Sequence, residues 1–132
     1  MMSDTLHYQL RVFYEDTDFS GYVYHANYLK FCERARSDYL RLIGVDQNAM
    51  FAMGQAFVVR RMACEFLRPA KFEDVLNVET RLIEMGGARF ELAQLVKRGD
   101  EKLFSAQVMV AIIDGNGRPK RIVPELVALF SR

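Results

Sequence analysis

The sequence predicts an α+β fold in which a long antiparallel sheet wraps around one long helix. One segment of about 18 residues repeats apolar residues at three- and four-residue spacing, the period of an amphipathic helix. Most of the remaining chain forms long β-rich stretches separated by short turn signals. The chain has 132 residues, a length that supports one hydrophobic core. We therefore expect a single domain over residues 1–132.

The first predicted element is a strand over residues 6–14, where apolar residues alternate loosely. An acidic loop follows over residues 15–21 and ends in the turn-forming pair Ser20-Gly21. This loop leads towards the predicted helix, so its side chains are expected beside the helix start.

The predicted helix covers residues 26–43 and ends at Gly44. Its apolar stripe consists of Tyr28, Leu29, Phe31, Cys32, Ala35, Tyr39, Leu40, Leu42 and Ile43. The opposite, polar face consists of Asn27, Lys30, Arg34, Ser37 and Arg41. Such a helix is about 27 Å long, whereas a chain of this size has a radius of gyration of about 14 Å. The helix must therefore run through the body of the domain, and other elements must cover its apolar face.

Four β-rich stretches provide that cover, over residues 56–67, 74–85, 88–98 and 103–113. The turn signals at 86–87, 99–100 and 114–117 are short, and strands joined by short turns pair antiparallel. Strands of about 11 residues exceed the usual length, and a long twisted sheet tends to coil. A short terminal helix is predicted over residues 123–130, because Pro124 suits a first helical position.

Composition excludes several classes of protein. The net charge of +1 is too small for the basic surface that binding to a phosphate backbone requires, so nucleic acid is not an expected partner. Cys32 and Cys64 lack metal or redox spacing and are interpreted as reduced structural thiols. No signal peptide or run of about 20 apolar residues is present, which predicts a soluble cytoplasmic protein without a transmembrane segment.

One region, residues 14–28, combines acidic groups, a glycine turn, aromatic residues and a histidine beside a helix start. A carboxylate ahead of a helix can fold back over its N-terminus, where free backbone N–H groups converge. Such N–H groups can hold the oxyanion of an acyl transfer while the carboxylate activates water or attacks. Acidic loops before helices also serve as solvated or capping segments. The residues alone therefore leave Asp16 and Asp18 open to either role.

A longer pattern resembles the YbgC-type, 4-hydroxybenzoyl-CoA thioesterase family. The pattern consists of Asp16-Thr17-Asp18, Gly21, Val23-Tyr24-His25, Tyr28-Leu29 and Glu33-Arg34-Ala35-Arg36, and the likeness extends through residues 64–70 and 74–76. It implies a hotdog fold, in which a five-stranded antiparallel sheet surrounds a central helix. It also implies hydrolysis of the thioester of acyl-CoA or acyl carrier protein, with no metal or redox cofactor.

The resemblance assigns roles to individual residues of the acidic region. Asp18 falls on the catalytic aspartate, as a general base or as a nucleophile. His25 falls on the helix-start position whose backbone N–H polarises the thioester carbonyl, and its ring either contacts substrate, orders the loop or is structural. Asp16 is interpreted as a residue that orders the loop by bonding to backbone.

Three tyrosines, Tyr14, Tyr24 and Tyr28, are candidates for the acyl pocket, although core packing is predicted for at least two of them. Glu33 and Arg36 lie one helical turn apart and predict an ion pair. A second hotdog group uses a carboxylate on the helix itself, which makes Glu33 the alternative to Asp18.

The resemblance implies that the phosphates of coenzyme A contact basic residues near the strand turns. The candidates are Arg89, Arg118 and Lys120, with Arg60 and Arg61 as alternatives. The Gly86-Gly87 turn departs from relatives that carry a richer basic cluster there. Tyr22 replaces a small aliphatic residue that is frequent in relatives, which is expected to reshape the pocket mouth.

The resemblance further implies a homodimer or homotetramer, with the site between two chains. Relatives are associated with the bacterial Tol-Pal envelope system, which implies a setting near the cytoplasmic face of the inner membrane. Two other functions stay open. One is a hotdog dehydratase, although His25 is followed by Ala26-Asn27 and not by a proline-rich stretch. The other is a non-catalytic module that binds acyl thioesters.

Overall fold

The structure is a computed structural model that describes residues 5–131. Part of the N-terminal segment, in which the sequence analysis found no signal peptide, lies outside those residues. The elements in chain order are β1 (Leu6–Arg11), a 3-10 turn (Tyr14–Asp16), α1 (Asn27–Leu42), α2 (Gln47–Ala52), β2 (Ala56–Phe66), β3 (Val75–Gly86), β4 (Arg89–Arg98), β5 (Glu101–Ile113) and α3 (Pro124–Phe130).

The five strands form one antiparallel sheet in the order β1-β3-β4-β5-β2. One face of the sheet packs against α1 through fully buried residues such as Phe90, Leu92 and Val108. From the helix, Phe31 and Tyr39 enter the same core. The predicted α+β fold, with a five-stranded sheet around a helix and a short terminal helix, is confirmed.

Helix α1 has 16 residues and is therefore about 24 Å long, slightly shorter than predicted. It ends before Gly44, whose φ of 101° is the left-handed conformation that favours glycine after a helix. The placement of Asn27 on the exposed polar face was wrong, because its amide is buried against a carboxylate described below. Leu29 and Leu42 were wrongly assigned to the buried stripe. They are 37% and 60% exposed, since the core covers a narrower band of the helix than predicted.

Strand β1 ends at Arg11, three residues earlier than predicted. The Asp16 N–H donates to the Phe13 carbonyl, and this bond turns the chain out of the strand into the 3-10 turn. The other predicted strand ends coincide with the observed ones or differ from them by at most two residues. Helix α2 was not predicted. It is capped by Asp46, whose carboxylate accepts a hydrogen bond from the Ala49 N–H at 3.0 Å.

A polar network crosses the core between α1 and the sheet. The Gln94 side chain is 2% exposed, and its Nε2 donates to the Cys32 carbonyl and to Thr80 Oγ1, each at 2.9 Å. Its Oε1 accepts from Arg36 at 3.0 Å. The predicted ion pair between Glu33 and Arg36 is therefore wrong: Arg36 turns inwards to an amide that needs a donor.

The two cysteines are free thiols, and burial raises the pKa of Cys32 to about 12. No helix within residues 5–131 is long and apolar enough to span a membrane.

Candidate active site

The acidic motif forms a small hairpin ahead of α1. Thr17 and Val23 make an antiparallel bridge, and the Asp18 N–H donates to the Tyr22 carbonyl at 3.0 Å. The chain reverses at Gly21, whose φ of 86° requires glycine and whose N–H donates to the Asp18 carbonyl. The hairpin thus holds Asp18 in a closed turn.

The Asp18 carboxylate is exposed and oriented by Ser20. Its Oδ1 accepts a hydrogen bond from Ser20 Oγ at 2.5 Å and another from the Ser20 N–H at 2.8 Å. These two bonds, with a smaller contribution from His25, lower the pKa of Asp18 below its ordinary value. Among residues 5–131, the hydrogen bonds from Ser20 both go to Oδ1 and not to Oδ2. One oxygen is therefore fixed, and the other is available to a substrate or to water.

Asp16 has a different role in the same motif. Its side chain is buried, and its two oxygens accept hydrogen bonds from the Phe13 N–H and from Asn27 Nδ2, each at 2.9 Å. Its carbonyl also accepts from the Tyr24 N–H at 2.9 Å. The interpretation of Asp16 as a loop-ordering residue agrees with these bonds.

His25 lies two residues before the first residue of α1, at the positive end of the helix dipole. Its exposed ring lies 4.6 Å from the Tyr24 ring and 6.2 Å from the Phe66 ring, measured between centroids. Within residues 5–131, no acceptor takes a hydrogen bond from the His25 N–H. This N–H is therefore a free donor at the helix start.

An open apolar pocket of about 250 Å³ adjoins this donor. Its wall contains Val23, His25, Tyr28, Phe66, Leu67, Arg68 and Pro69. Tyr28 stacks on Phe104 at 5.1 Å, and its hydroxyl accepts a hydrogen bond from the Ala70 N–H at 2.9 Å. Burial raises the pKa of Tyr28, so its hydroxyl stays neutral at physiological pH.

The tyrosines do not divide as predicted. Of the three candidates for the acyl pocket, Tyr28 is buried, whereas Tyr14 is 81% and Tyr24 is 45% exposed, so the prediction of core packing for at least two of them was wrong. Tyr14 lies in the 3-10 turn, outside the strand that would have directed it inwards, and its ring meets Phe72 edge-on.

Glu33, the candidate carboxylate on α1, lies away from the pocket at His25. Glu33 accepts a hydrogen bond from Ser37 at 2.6 Å and does not line the pocket at His25. It lines a separate cleft of about 160 Å³ between α1 and β2, together with Arg36 and Phe57. Glu33 therefore lies in a different depression of the surface from the pocket at His25.

The predicted phosphate contacts differ in availability. Arg89 donates to Glu84 at 2.8 Å and lies 3.9 Å from Glu91, so its charge is largely compensated. Arg118 and Lys120 are exposed and have no side-chain ion pair among residues 5–131. They follow the turn at 114–117, and their segment reaches the Gly86-Gly87 turn at Ile122, whose N–H donates to the Gly87 carbonyl at 2.9 Å.

Sequence reasoning missed the partners that orient the two aspartates. Ser20 lies two residues after Asp18, a spacing typical of an aspartate that accepts from the backbone two positions on, so its role had a local signal. Asn27 lies eleven residues from Asp16, and nothing in the sequence links them.

A five-stranded antiparallel sheet around one long helix is the fold that this chain shares with solved thioesterases. The family model of the thioesterase superfamily matches residues 20–105, and the chain belongs to that family. It is 40% identical over 132 residues to the acyl-CoA thioesterase YbgC of Haemophilus influenzae, covering 98% of this chain and 97% of the relative.

Solved structures agree with this membership. A probable thioesterase from Bartonella henselae has 41% sequence identity and a TM-score of 0.86, covering 91% of this chain and all of that one. A 4-hydroxybenzoyl-CoA thioesterase has 21% identity and a TM-score of 0.91 over 98% of this chain, which shows the shared hotdog fold. The predicted family is confirmed.

Proposed function

We propose that this chain hydrolyses the thioester of an acyl-CoA, or of the same acyl group on acyl carrier protein, to a free acid and a thiol. One observation carries the proposal: an ionised carboxylate with one uncommitted oxygen stands on the hairpin that leads to a free N–H at a helix start. Relatives named as acyl-CoA thioesterases, similar over nearly the whole chain, support it.

In the proposed reaction, the thioester carbonyl oxygen accepts a hydrogen bond from the His25 N–H. The helix dipole stabilises the negative charge that develops on this oxygen in the transition state. Because the N–H belongs to the backbone, polarisation of the carbonyl needs no particular side chain at this position.

Asp18 then acts by one of two routes. As a general base, its Oδ2 takes a proton from water, the water oxygen attacks the carbonyl carbon, and the carbon–sulfur bond then breaks so that the thiolate leaves and takes up the proton. As a nucleophile, Oδ2 attacks directly, the thiolate leaves, and water opens the mixed anhydride.

Turnover in water enriched in heavy oxygen separates the routes, because opening of the anhydride at the Asp18 carbonyl carbon transfers heavy oxygen to this side chain. Mass spectrometry of the peptide containing Asp18 detects the transfer.

The acyl group is proposed to occupy the apolar pocket beside His25, with Tyr24 at its mouth and Tyr28 in its wall. The aromatic lining suits an aliphatic or an aromatic acyl group. Arg118 and Lys120 are proposed to contact the phosphates of coenzyme A. Arg89 would join them only by giving up its bond to Glu84.

The functional unit is proposed to be a homodimer or a homotetramer with its site between chains. The proposed location is the cytoplasm, near the inner membrane. The chemistry above requires no metal or redox cofactor, since the carboxylate, the N–H and water supply every proton and electron pair.

The test is hydrolysis of an acyl-CoA series by the parent protein and by Asp18→Asn, with acyl carrier protein substrates in parallel. Loss of the ionised carboxylate is expected to lower kcat by a factor of about 100 to 10,000. Glu33→Gln, the matched change on α1, is expected to stay within a few-fold of the parent.

Three results contradict this proposal. Loss of activity in Glu33→Gln alone would assign the reaction to the helix carboxylate. Absence of turnover for every thioester, with retained acyl-CoA binding, would favour a binding module. Release of water from a hydroxyacyl thioester would favour a dehydratase.

A further inference from the structure

Residues 67–74 connect β2 to β3 as an irregular loop, the β2–β3 loop, which pairs with the hairpin of the candidate site. Lys71 and Tyr22 make an antiparallel bridge. The Tyr22 carbonyl also accepts the hydrogen bond from the Asp18 N–H that closes the hairpin. The same residue, Tyr22, therefore contacts both the β2–β3 loop and the proposed catalytic aspartate.

The β2–β3 loop also contacts the start of α1 and the 3-10 turn. The Ala70 N–H donates to the Tyr28 hydroxyl at 2.9 Å. The Phe72 ring meets the Tyr14 ring edge-on, with 6.3 Å between the centroids. The loop is thus a common support for the hairpin and for the helix start, and its conformation sets where the two lie relative to each other.

The backbone of this loop is strained. Glu73 has a φ of 77°, in the left-handed region that a residue with a side chain rarely adopts. Such a conformation persists only where the surrounding structure fixes it. Here the Glu73 N–H donates to the Val12 carbonyl, and the Asp74 N–H donates to the Lys71 carbonyl. The turn over residues 71–74 therefore depends on the few bonds that close it.

The Asp74 side chain adds a further bond to this turn and is itself paired with Arg98, at the end of β4. Asp74 Oδ2 accepts hydrogen bonds from the Lys71 N–H at 2.9 Å and from Arg98 Nη1 at 2.6 Å. The side chains of Asp74 and Arg98 are only 13% and 31% exposed, so water screens this ion pair weakly. Arg98 Nε and Nη2 donate to Glu101, which fixes the plane of the guanidinium.

We propose that Arg98 is a positioning residue: by pairing with Asp74, it holds the β2–β3 loop against the hairpin that carries Asp18. Without a cation beside it, a carboxylate this enclosed gains free energy by turning outwards to water. That movement breaks its bond to the Lys71 N–H, and Lys71 is the residue that pairs with Tyr22.

Arg98 acts at a distance from the reacting groups, since it does not line the pocket at His25. The inference rests on the proposed function and names a residue on which its geometry depends. It predicts that removal of Arg98 affects the placement of Asp18 more than the binding of substrate.

Hydrogen exchange measures the placement of the hairpin without any substrate. Arg98→Ala is expected to speed amide exchange in a peptide covering residues 17–24 by about tenfold, because the hairpin opens more often once the loop is released. Exchange in β5 is expected to stay unchanged. Arg41→Ala is the matched control, because Arg41 is also paired with a carboxylate, that of Asp38 on α1. It is expected to leave exchange in the hairpin unchanged.

Steady-state hydrolysis of an acyl-CoA measures the effect on the reaction. Arg98→Ala is expected to lower kcat by about tenfold and to change KM by less than about twofold, because a misplaced carboxylate slows the chemical step. Arg98→Lys, the milder change, keeps the charge and is expected to lower kcat by no more than about threefold. Near-UV circular dichroism verifies that each variant is folded.

A second substitution tests whether Arg98 acts through Asp74. In R98A/D74N, the asparagine oxygen still accepts from the Lys71 N–H, but the neutral amide needs no cation. The double variant is therefore expected to recover kcat to within about threefold of the parent and to slow exchange in the hairpin again. A purely structural contribution of the Arg98 side chain to packing would not be restored by a change at Asp74.

Unchanged exchange in the hairpin of Arg98→Ala would overturn this role, as would a double variant as impaired as Arg98→Ala. A rise in KM with unchanged kcat would also overturn it, because that result assigns Arg98 to substrate binding. The two proposals fail separately. If the parent hydrolyses no thioester, the proposed activity is wrong, and the exchange measurement still decides whether Arg98 positions the hairpin.

Discussion

The carboxylate of Asp16 accepts a hydrogen bond from the side-chain amide of Asn27, with 2.9 Å between Oδ1 and Nδ2. Both side chains are buried, and the bond joins the 3-10 turn to the first residue of α1. The hairpin bearing Asp18 lies between these two points in the chain. The position of the exposed aspartate relative to the helix start therefore depends on the buried one.

Asn27→Ala is expected to lower the free energy of unfolding by about 1–3 kcal/mol, because it leaves a buried carboxylate oxygen without its donor. In hydrolysis assays, kcat is expected to fall more than KM rises, since the hairpin loses its fixed relation to the helix. Urea unfolding at neutral pH and steady-state kinetics measure the two effects.

Asn48→Ala is the matched control, because Asn48 is exposed in α2 and makes no side-chain hydrogen bond among residues 5–131. It is expected to change both quantities little. Equal stability of Asn27→Ala and Asn48→Ala would show that the bond to Asp16 contributes nothing measurable.

The pH dependence of turnover is expected to report the bonds from Ser20 to Asp18. The reaction needs the ionised carboxylate, and those bonds lower the pKa of Asp18 below its ordinary value. Activity is therefore expected to persist to lower pH than an ordinary aspartate would allow, and to be lost as the pH falls through the lowered pKa. Ser20→Ala removes the largest cause of the lowered pKa, so the acid limb of log kcat/KM is expected to move to higher pH.

Ser37→Ala, which removes a hydroxyl bonded to Glu33, is the control and is expected to leave the limb in place. Circular dichroism at each pH verifies that the variants are folded. An identical limb in the parent and in Ser20→Ala would contradict the assignment of this titration to Asp18.

Arg118→Ala combined with Lys120→Ala is expected to raise KM for an acyl-CoA by about three- to tenfold and to leave kcat unchanged. The reason is that exposed charges contribute modestly to binding and act far from the reacting carbonyl. An acyl-pantetheine thioester, which lacks the nucleotide phosphates, is expected to show no change in KM. Lys102→Ala, at the opposite end of β5, is the charge control. An equal rise with both substrates would remove these residues from the phosphate site.

The fold was predictable because periodicity reports burial directly. The strand stretches alternate and α1 repeats its apolar residues, so the five strands and α1 could be placed within a few residues, whereas the short helix α2 was missed. The terminal turn of α1 was less predictable. Leu42 is apolar and has the right spacing, but whether the core reaches the last residue of a helix depends on tertiary packing.

The hydrogen-bond partners of polar side chains were predicted less well, because they depend on the tertiary structure. Arg36 was expected to bond Glu33 one turn away, yet it bonds Gln94, which is 58 residues distant in sequence. Helical spacing identifies only neighbours on the same helix. A buried amide such as that of Gln94 must be hydrogen-bonded, and its partners can come from any element packed around it.

Two substitutions at His25 separate the contribution of its backbone N–H to catalysis from that of its imidazole ring. If its N–H alone polarises the carbonyl, His25→Ala keeps this donor, and kcat is expected to stay within a few-fold of the parent. His25→Pro lacks the N–H, and the loss of one such donor is expected to lower kcat by about 100-fold or more. Near-UV circular dichroism and the unfolding midpoint establish that each variant retains its packing. If His25→Ala loses as much activity as His25→Pro, the imidazole and not the backbone acts on the substrate, because only the ring is absent from both.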